Sequence, residues 1–296
     1  MKLRVTHDTR YAYTPAVETA QHMAHLKPRD TATQQLVTHQ LTIDPPPAEL
    51  SEALDVYGNT RAFFSLQTVH EELRMEALSL VETREPPVPH SGLAWEQVRE
   101  TFRYRAGLAY DAAAEFVFAS PHVPRHSDFA AYARPSFATG VPLLLAARDL
   151  MERIHGDLAY ETDSTEISTP AVEALAQRKG VCQDFAHIFI ACWRAMGLPA
   201  RYVSGYLLTH PPPGKPRLIG SDASHAWASV YVPDMPPGQR WCDFDPTNNR
   251  APGEDYVTLA HGRDYADVSP LRGVIRGGAH HTLDVAVTVE PVVADD

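Results

Sequence analysis

One cysteine at the head of an apolar, helix-periodic run restricts this chain more than any other feature. The run opens Gly180-Val181-Cys182-Gln183-Asp184-Phe185-Ala186-His187. Val181, Phe185, Ile188, Phe189, Cys192, Ala195 and Met196 fall on one helical face, and Gly197 and Pro199 close the element. The spacing sets Cys182 in the first turn, among N–H groups without intrahelical acceptors and at the positive end of the helix dipole. Such surroundings favour the thiolate, the form of cysteine that attacks carbonyl carbon.

A nucleophile needs a base. His225-Ala226-Trp227-Ala228-Ser229-Val230-Tyr231-Val232 alternates as a strand, with Ala226, Ala228, Val230 and Val232 on one side and His225, Trp227 and Tyr231 on the other. Asp222-Ala223-Ser224, just before it, reads as a loop. A carboxylate to orient the imidazole is offered by Trp241-Cys242-Asp243-Phe244-Asp245-Pro246-Thr247-Asn248, a short strand running into a turn at Asp245-Pro246. Asp243 and Asp245 share strand parity, so periodicity does not choose between them. A helix carrying the thiol and a sheet carrying the base make an α+β core.

The three motifs G-V-C-Q-D, D-A-S-H-A-W and F-D-P-T-N resemble the bacterial branch of the transglutaminase-like superfamily, whose core is similar to that of papain-type cysteine peptidases. The resemblance runs from about Ala94 to Pro291. It takes in Leu198-Pro199-Ala200-Arg201-Tyr202-Val203-Ser204-Gly205-Tyr206 and Gly262-Arg263-Asp264-Tyr265. It implies Cys182 as nucleophile, His225 as general base and then acid, and Asp245 as the group that holds His225. The implied chemistry is acyl transfer on an amide through a thioester, with hydrolysis of a peptide or isopeptide-like amide as the expected outcome. Amine transfer, as in a true transglutaminase, is the alternative, and a non-catalytic binding or assembly module is the rival from another class. The expected partner is a peptide or protein amide, and no cofactor is implied.

Other residues near the motifs have simpler roles. Gln183 is a candidate oxyanion donor beside the Cys182 N–H, and Tyr160 is another candidate, also placed as substrate-binding. Trp227 either packs beside the histidine or lines the acyl site as a substrate-binding residue. His187 is rotated away from Cys182 on the helix and is read as structural. Asp184 complements the helix dipole. Cys192 and Cys242 read as packed core thiols. Cys182, His187, His225 and Cys242 are metal-ligating types but follow no usual ligand spacing, so no metal is expected. Neither a D-x-D-x-D-G calcium loop nor a glycine-rich phosphate loop occurs.

The first part of the chain reads as β structure. Leu3, Val5, Tyr11 and Tyr13 keep one parity, as do Val37, Leu41 and Ile43, and Phe64 and Leu66 mark a further strand. Pro45-Pro46-Pro47 and Tyr57-Gly58-Asn59 separate them. Residues 85–92, with three prolines, read as a linker, giving a β-rich N-terminal domain over 1–88 and a papain-like catalytic core over 92–296. Within the core, helices are expected over Ala94 to Phe102 and from Pro142 to Gly156. Another begins at Thr169-Pro170, with Thr169 as N-cap, and ends through a left-handed Gly180. The stretch Tyr104 to Asp128 is a candidate cleft wall. The closing alternation Leu283, Val285, Val287, Val289 either rejoins the N-terminal sheet or completes the core sheet.

Net charge −11 argues against nucleic acid or anionic membrane as partner. Charges among the first eight residues do not fit a secretory signal, no run is long enough to span a bilayer, and three cysteines without C-x-x-C spacing suit a reducing compartment. The expected location is the cytoplasm. Oligomeric state is not encoded legibly.

Overall fold

The computed structural model describes residues 1–107, 109, 111–161, 169–209 and 224–292. Asp222 and Ala223, read as part of the approach to His225, lie outside the described residues. Alternation in the N-terminal part builds one antiparallel sheet from β1 (Lys2–Ala24), β2 (Gln34–Asp44), β3 (Glu49–Leu54), β4 (Thr60–Leu66) and β5 (His70–Thr83), in the order β2-β5-β1-β4-β3. Two bulges reset the parity. Leu3, Val5 and Val17 of β1 are buried, but after a register shift between Val17 and Thr19 the buried residues are Ala20, His22 and Ala24. An extra residue in a period-two pleat turns the following side chains over. A second shift, between Leu36 and Thr38, leaves Val37 exposed although its parity matches Leu41 and Ile43.

Residues 84–93 have no regular structure. The core then runs through α1 (Trp95–Thr101), α2 (Ser127–Ala133), α3 (Leu143–Asp157), β6 (Ala159–Tyr160), α4 (Ala171–Gln177), β7 (Lys179–Gly180) and α5 (Cys182–Ala195). Strands β8 (Ala200–Leu207), β9 (Ser224–Tyr231), β10 (Trp241–Phe244) and β11 (Tyr256–Gly262) form a second antiparallel sheet in the order β10-β9-β8-β11. The chain ends with α6 (Tyr265–Val268), β12 (Leu271–Gly277) and β13 (His280–Pro291). Among the described residues no helix is long and apolar enough to cross a membrane.

α5 is more than amphipathic. Every residue from Asp184 to Arg194 is buried, against β8 and β9 on one side and α2, α3 and α4 around it, whereas Ala195, expected on the apolar face, is exposed. A helix covered all round can keep polar groups only where they are bonded. Arg194 meets that condition by donating to the carbonyls of Phe118, Ala200 and Arg263 and to the Ser120 hydroxyl. Of the stretch Tyr104 to Asp128, expected to wall a cleft, Val117, Ala119 and residues 123–127 line a depression with Arg194 and Gly197 at the far end of α5 from Cys182.

The turn before α5 differs from expectation. Pro170, not Thr169, is the N-cap of α4, and the left-handed residue that ends α4 is Arg178 at φ 56, not Gly180. Gly180 lies in the β6–β7 pair, and its lack of a side chain has another cause. A Cβ there would stand 2.6 Å from Asp184 Oδ2. Asp184 needs that space because its carboxylate accepts the Val181 N–H at 2.9 Å and so caps the helix.

The last strand joins the N-terminal sheet. β12 and β13 both pair with β1, the latter in the register Val5↔Val289 and Tyr11↔Leu283. Val287 and Val289 are buried with Leu3, Val5, Tyr206 and Val257 between the two sheets, while Leu283 and Val285 reach past that contact and stay exposed. His7 Nδ1 and the Tyr206 hydroxyl meet at 3.0 Å in the same interface. The fold is an α+β core, with α5 packed on its sheet, preceded by β structure whose sheet packs against β8 and β11.

Candidate active site

Three elements converge on one imidazole. Cys182 is the first residue of α5 and is half-buried. The N–H groups of Asp184 and Phe185 return to the Val181 carbonyl, so helix geometry gives the Cys182 N–H no intrahelical acceptor. His225, near the start of β9, is 8% exposed, and Cys182 is close enough to help raise its pKa. Its Nε2 donates to Asp245 Oδ2 at 2.7 Å, which leaves Nδ1 as the nitrogen for the sulfur.

Asp245 follows β10, where the chain folds back sharply: its N–H donates to the Arg250 carbonyl at 2.9 Å, and Asn249 takes a left-handed φ of 52. The carboxylate is wholly buried, and donors surround it. Oδ1 accepts the N–H groups of Thr247 at 2.9 Å and Asn248 at 3.3 Å. Oδ2 accepts His225, the Asn248 amide at 2.7 Å and the Tyr256 hydroxyl at 2.8 Å. Burial by itself raises the pKa of this carboxyl, but the His225 bond and the other donors outweigh it and hold it below the usual carboxylate range. Burial likewise pulls His225 down, and the bonds to Asp245 and then Cys182 more than reverse this, so its pKa is raised. An ionised Asp245 can only accept, which fixes Nε2 as the protonated nitrogen of the neutral ring.

The remaining candidates take distinct places. Trp227 is fully buried and packs beside His225, with ring centroids 6.1 Å apart, rather than facing a cleft. Its Nε1 donates to Asp243 at 3.0 Å, and its ring edge meets Tyr256. Gly205, paired with His225 across β8 and β9, makes this possible, since a Cβ there would stand 2.5 Å from the Trp227 ring. Tyr160 is half-exposed, sits opposite Gly180 in the β6–β7 pair, and has its phenol pKa raised by burial and by the adjacent Cys182. Gln183 is half-buried in the first turn of α5. His187 is buried away from the thiol, stacked between His122 and Tyr202, and its Nε2 accepts the Tyr265 N–H at 3.2 Å. Cys192 and Cys242 are buried, and burial pushes the Cys242 thiol up to about 12.

Asp243 and Asp245, inseparable by parity, are separated by their surroundings. Asp243 accepts from Trp227 and lies outside the Cys182–His225 contact. Two residues escaped the reading of the sequence as members of this site. Asn248 stands within the F-D-P-T-N motif, three positions after Asp245, a spacing that suits a side chain folding back over a turn. Tyr256 begins β11, and nothing local in the sequence marks it.

Residues 3–82 match the bacterial transglutaminase-like N-terminal region, and residues 130–246 match the transglutaminase-like superfamily. An uncharacterized protein of Mycobacterium tuberculosis is 44% identical over 301 residues, covering 99% of this chain and 94% of that one. A protein-glutamine gamma-glutamyltransferase of Pseudomonas aeruginosa is 31% identical over 141 residues, which span 44% of this chain and 20% of that one. A crystal structure from Cytophaga hutchinsonii, named a "Putative Cysteine Protease", has the same fold, with a TM-score of 0.74, 22% identity and coverage of 100% of this chain and 92% of that one. Thiol-dependent acyl transfer or hydrolysis is the class of chemistry these likenesses support. By its two matched regions and its full-length relatives, the chain belongs to the transglutaminase-like superfamily.

Proposed function

We propose that the protein cleaves a peptide or isopeptide-like amide by acyl transfer through Cys182. The observation that carries the reading is Cys182 at the head of α5, near a His225 whose Nε2 is held by Asp245 at 2.7 Å, with five donors in all on that carboxylate. His225 Nδ1 takes the proton of the Cys182 thiol to form a thiolate–imidazolium pair, and the thiolate attacks the carbonyl carbon. The imidazolium then protonates the leaving amine, and a thioester remains. Water, deprotonated by His225, attacks the thioester, and the acid is released with the thiol restored. Asp245 fixes the tautomer and stabilises the imidazolium. The Cys182 N–H is a donor for the developing oxyanion, with Gln183 as its neighbour in the same turn. Tyr160, beside Cys182 and half-exposed, is placed to touch substrate. Three free thiols suit a reducing compartment, and a cytoplasmic setting is part of the same proposal.

The similarity to the Pseudomonas aeruginosa glutamyltransferase favours a second reading, in which an amine replaces water as acceptor. Turnover of peptide amides with and without a primary amine separates the two by product mass. In either case Cys182→Ala is expected to lose at least about 10⁴-fold in turnover, with an unchanged melting transition. Brief iodoacetamide exposure is expected to label Cys182 ahead of Cys192 and Cys242, and Cys192→Ala to keep at least half the activity. Equal turnover by Cys182→Ala and the parent chain would sink the mechanism.

A further inference from the structure

A second pocket lies against β10. This cavity of about 650 Å³ is walled by the loop after β1, the linker prolines, α3 and β10, and neither Cys182, His225 nor Asp245 lines it. Its most unusual occupant is Arg201, the second residue of β8. The guanidinium stacks on Trp241 at 4.4 Å, and its buried Nε has no hydrogen-bonding partner among the described residues. Arg194, also buried, supplies the contrast, since its guanidinium bonds four acceptors around it. Burial is the main influence on both and lowers the pKa of each, to about 10 for Arg194 and about 9 for Arg201.

Other groups on the wall are unpaired in the same way. His261 is 6% exposed, lines the cavity and has an Nδ1 without a partner. Arg29 bonds Tyr57 and Asn59 through one nitrogen and leaves its Nε buried and unpaired. A buried cationic donor left unpaired is unfavourable, and an anion is the partner that relieves it. The local charge favours a singly over a doubly charged anion, because Asp255 already holds Arg250, Asp243 acts on Arg201 from nearby, and burial keeps His261 neutral. An apolar part of the wall is formed by Val88, Leu144, Met151, Met235 and Phe244. Pockets between two units, mostly apolar with a few convergent polar groups, are common ligand sites.

We propose that this cavity binds an organic monocarboxylate, with its head on Arg201 and its apolar body along Met151, Met235 and Phe244. The planar guanidinium suits bidentate capture of a carboxylate, and its stacking on Trp241 holds the fork in place. This site is independent of the acyl-transfer reading.

The test is calorimetric titration of the full chain with sodium octanoate, with octylamine and inorganic phosphate as comparison ligands. Octanoate is expected to bind at one site, octylamine and phosphate at least tenfold more weakly. Arg201→Gln is expected to weaken octanoate at least tenfold, Arg201→Lys by less, and Cys182→Ala not at all. Equal binding by Arg201→Gln overturns the proposal, and phosphate bound more tightly than octanoate overturns the choice of carboxylate. Should Arg201→Gln fail to fold, hydrogen exchange on the parent chain decides. Slowed exchange over 241–244 and 258–261 on adding octanoate supports the site, and protection only elsewhere refutes it.

Discussion

One end of β10 carries two carboxylates with opposite electrostatic fates, Asp243 within the strand and Asp245 just past it. Asp243 faces the Arg201 side, and burial raises its pKa despite the nearby guanidinium and the Trp227 N–H. Asp245 is buried at least as deeply, yet its carboxyl is held below the ordinary range. Burial therefore does not decide the charge. The difference is the number of donors aimed at the oxygens, five at Asp245, drawn from a turn and from two strands.

The sharpest way to break this comparison is to neutralise each carboxylate in turn. Asp245→Asn is expected to lower turnover by roughly 10²–10⁴-fold, because His225 loses its fixed tautomer. It should also move the alkaline limb of the pH–rate profile toward acid, since the group that raises the imidazole pKa is gone. Asp243→Asn keeps an acceptor for Trp227 and should stay within about threefold. Equal losses would mean that the two carboxylates act as one unit.

The same contrast extends to the histidines and predicts how stability follows pH. His225 is raised, so its contribution is complete below the unfolded value near 6.5 and is lost as pH climbs through the higher folded value. His7 and His22 have the opposite sign, both lowered to about 4 by burial, and His187 and His261 are lowered as well. Their stabilisation is complete above about 6.5 and disappears as pH falls toward their folded values. For His7 and His22 the loss approaches about 1.4 kcal/mol per pH unit each between those limits. Urea titrations from pH 7.5 down to 4.5 should show it, and a flat midpoint across that range would contradict the assignment.

The mildest change sharpens the count of donors. Tyr256→Phe removes one of the five, and a loss of about threefold to tenfold in turnover is expected, near 1 kcal/mol, with a small downward shift of the alkaline limb. Wild-type kinetics in this variant would mean that the remaining four donors suffice.

What was legible follows from distance along the chain. The spacing from Val181 to Met196 located α5 and set Cys182 at its head, and alternation located β9 and His225. Helical and strand periods are local, so these survive folding unchanged. Asp245 could be preferred over Asp243 only by resemblance, because its distinguishing partners His225 and Tyr256 come from other strands. Parity failed where a bulge intervened, as at Val37, and in β13, where Leu283 and Val285 extend past the partner surface that buries Val287 and Val289. Gly180 was assigned a backbone role from its residue type, and its real constraint, the Asp184 side chain, is a packing fact. Arg201 reads as one residue of a motif, and only its surroundings show a guanidinium stacked on Trp241 with a buried Nε that lacks a hydrogen-bond partner among the described residues.

The pairing of β13 with β1 also bears on how the molecule is made. For residues 3–12, β1 is bordered by β5 on one side and by β13 on the other. A chain emerging from the ribosome completes β1 and β5 early, but that second border arrives only after the whole core has been synthesised. Until then the nascent sheet presents an open hydrogen-bonding edge, the situation that invites pairing with other chains. Release of residues 280–291 seals that edge and, through Val287 and Val289, clasps the sheet to the core, so the last strand acts as the latch of assembly.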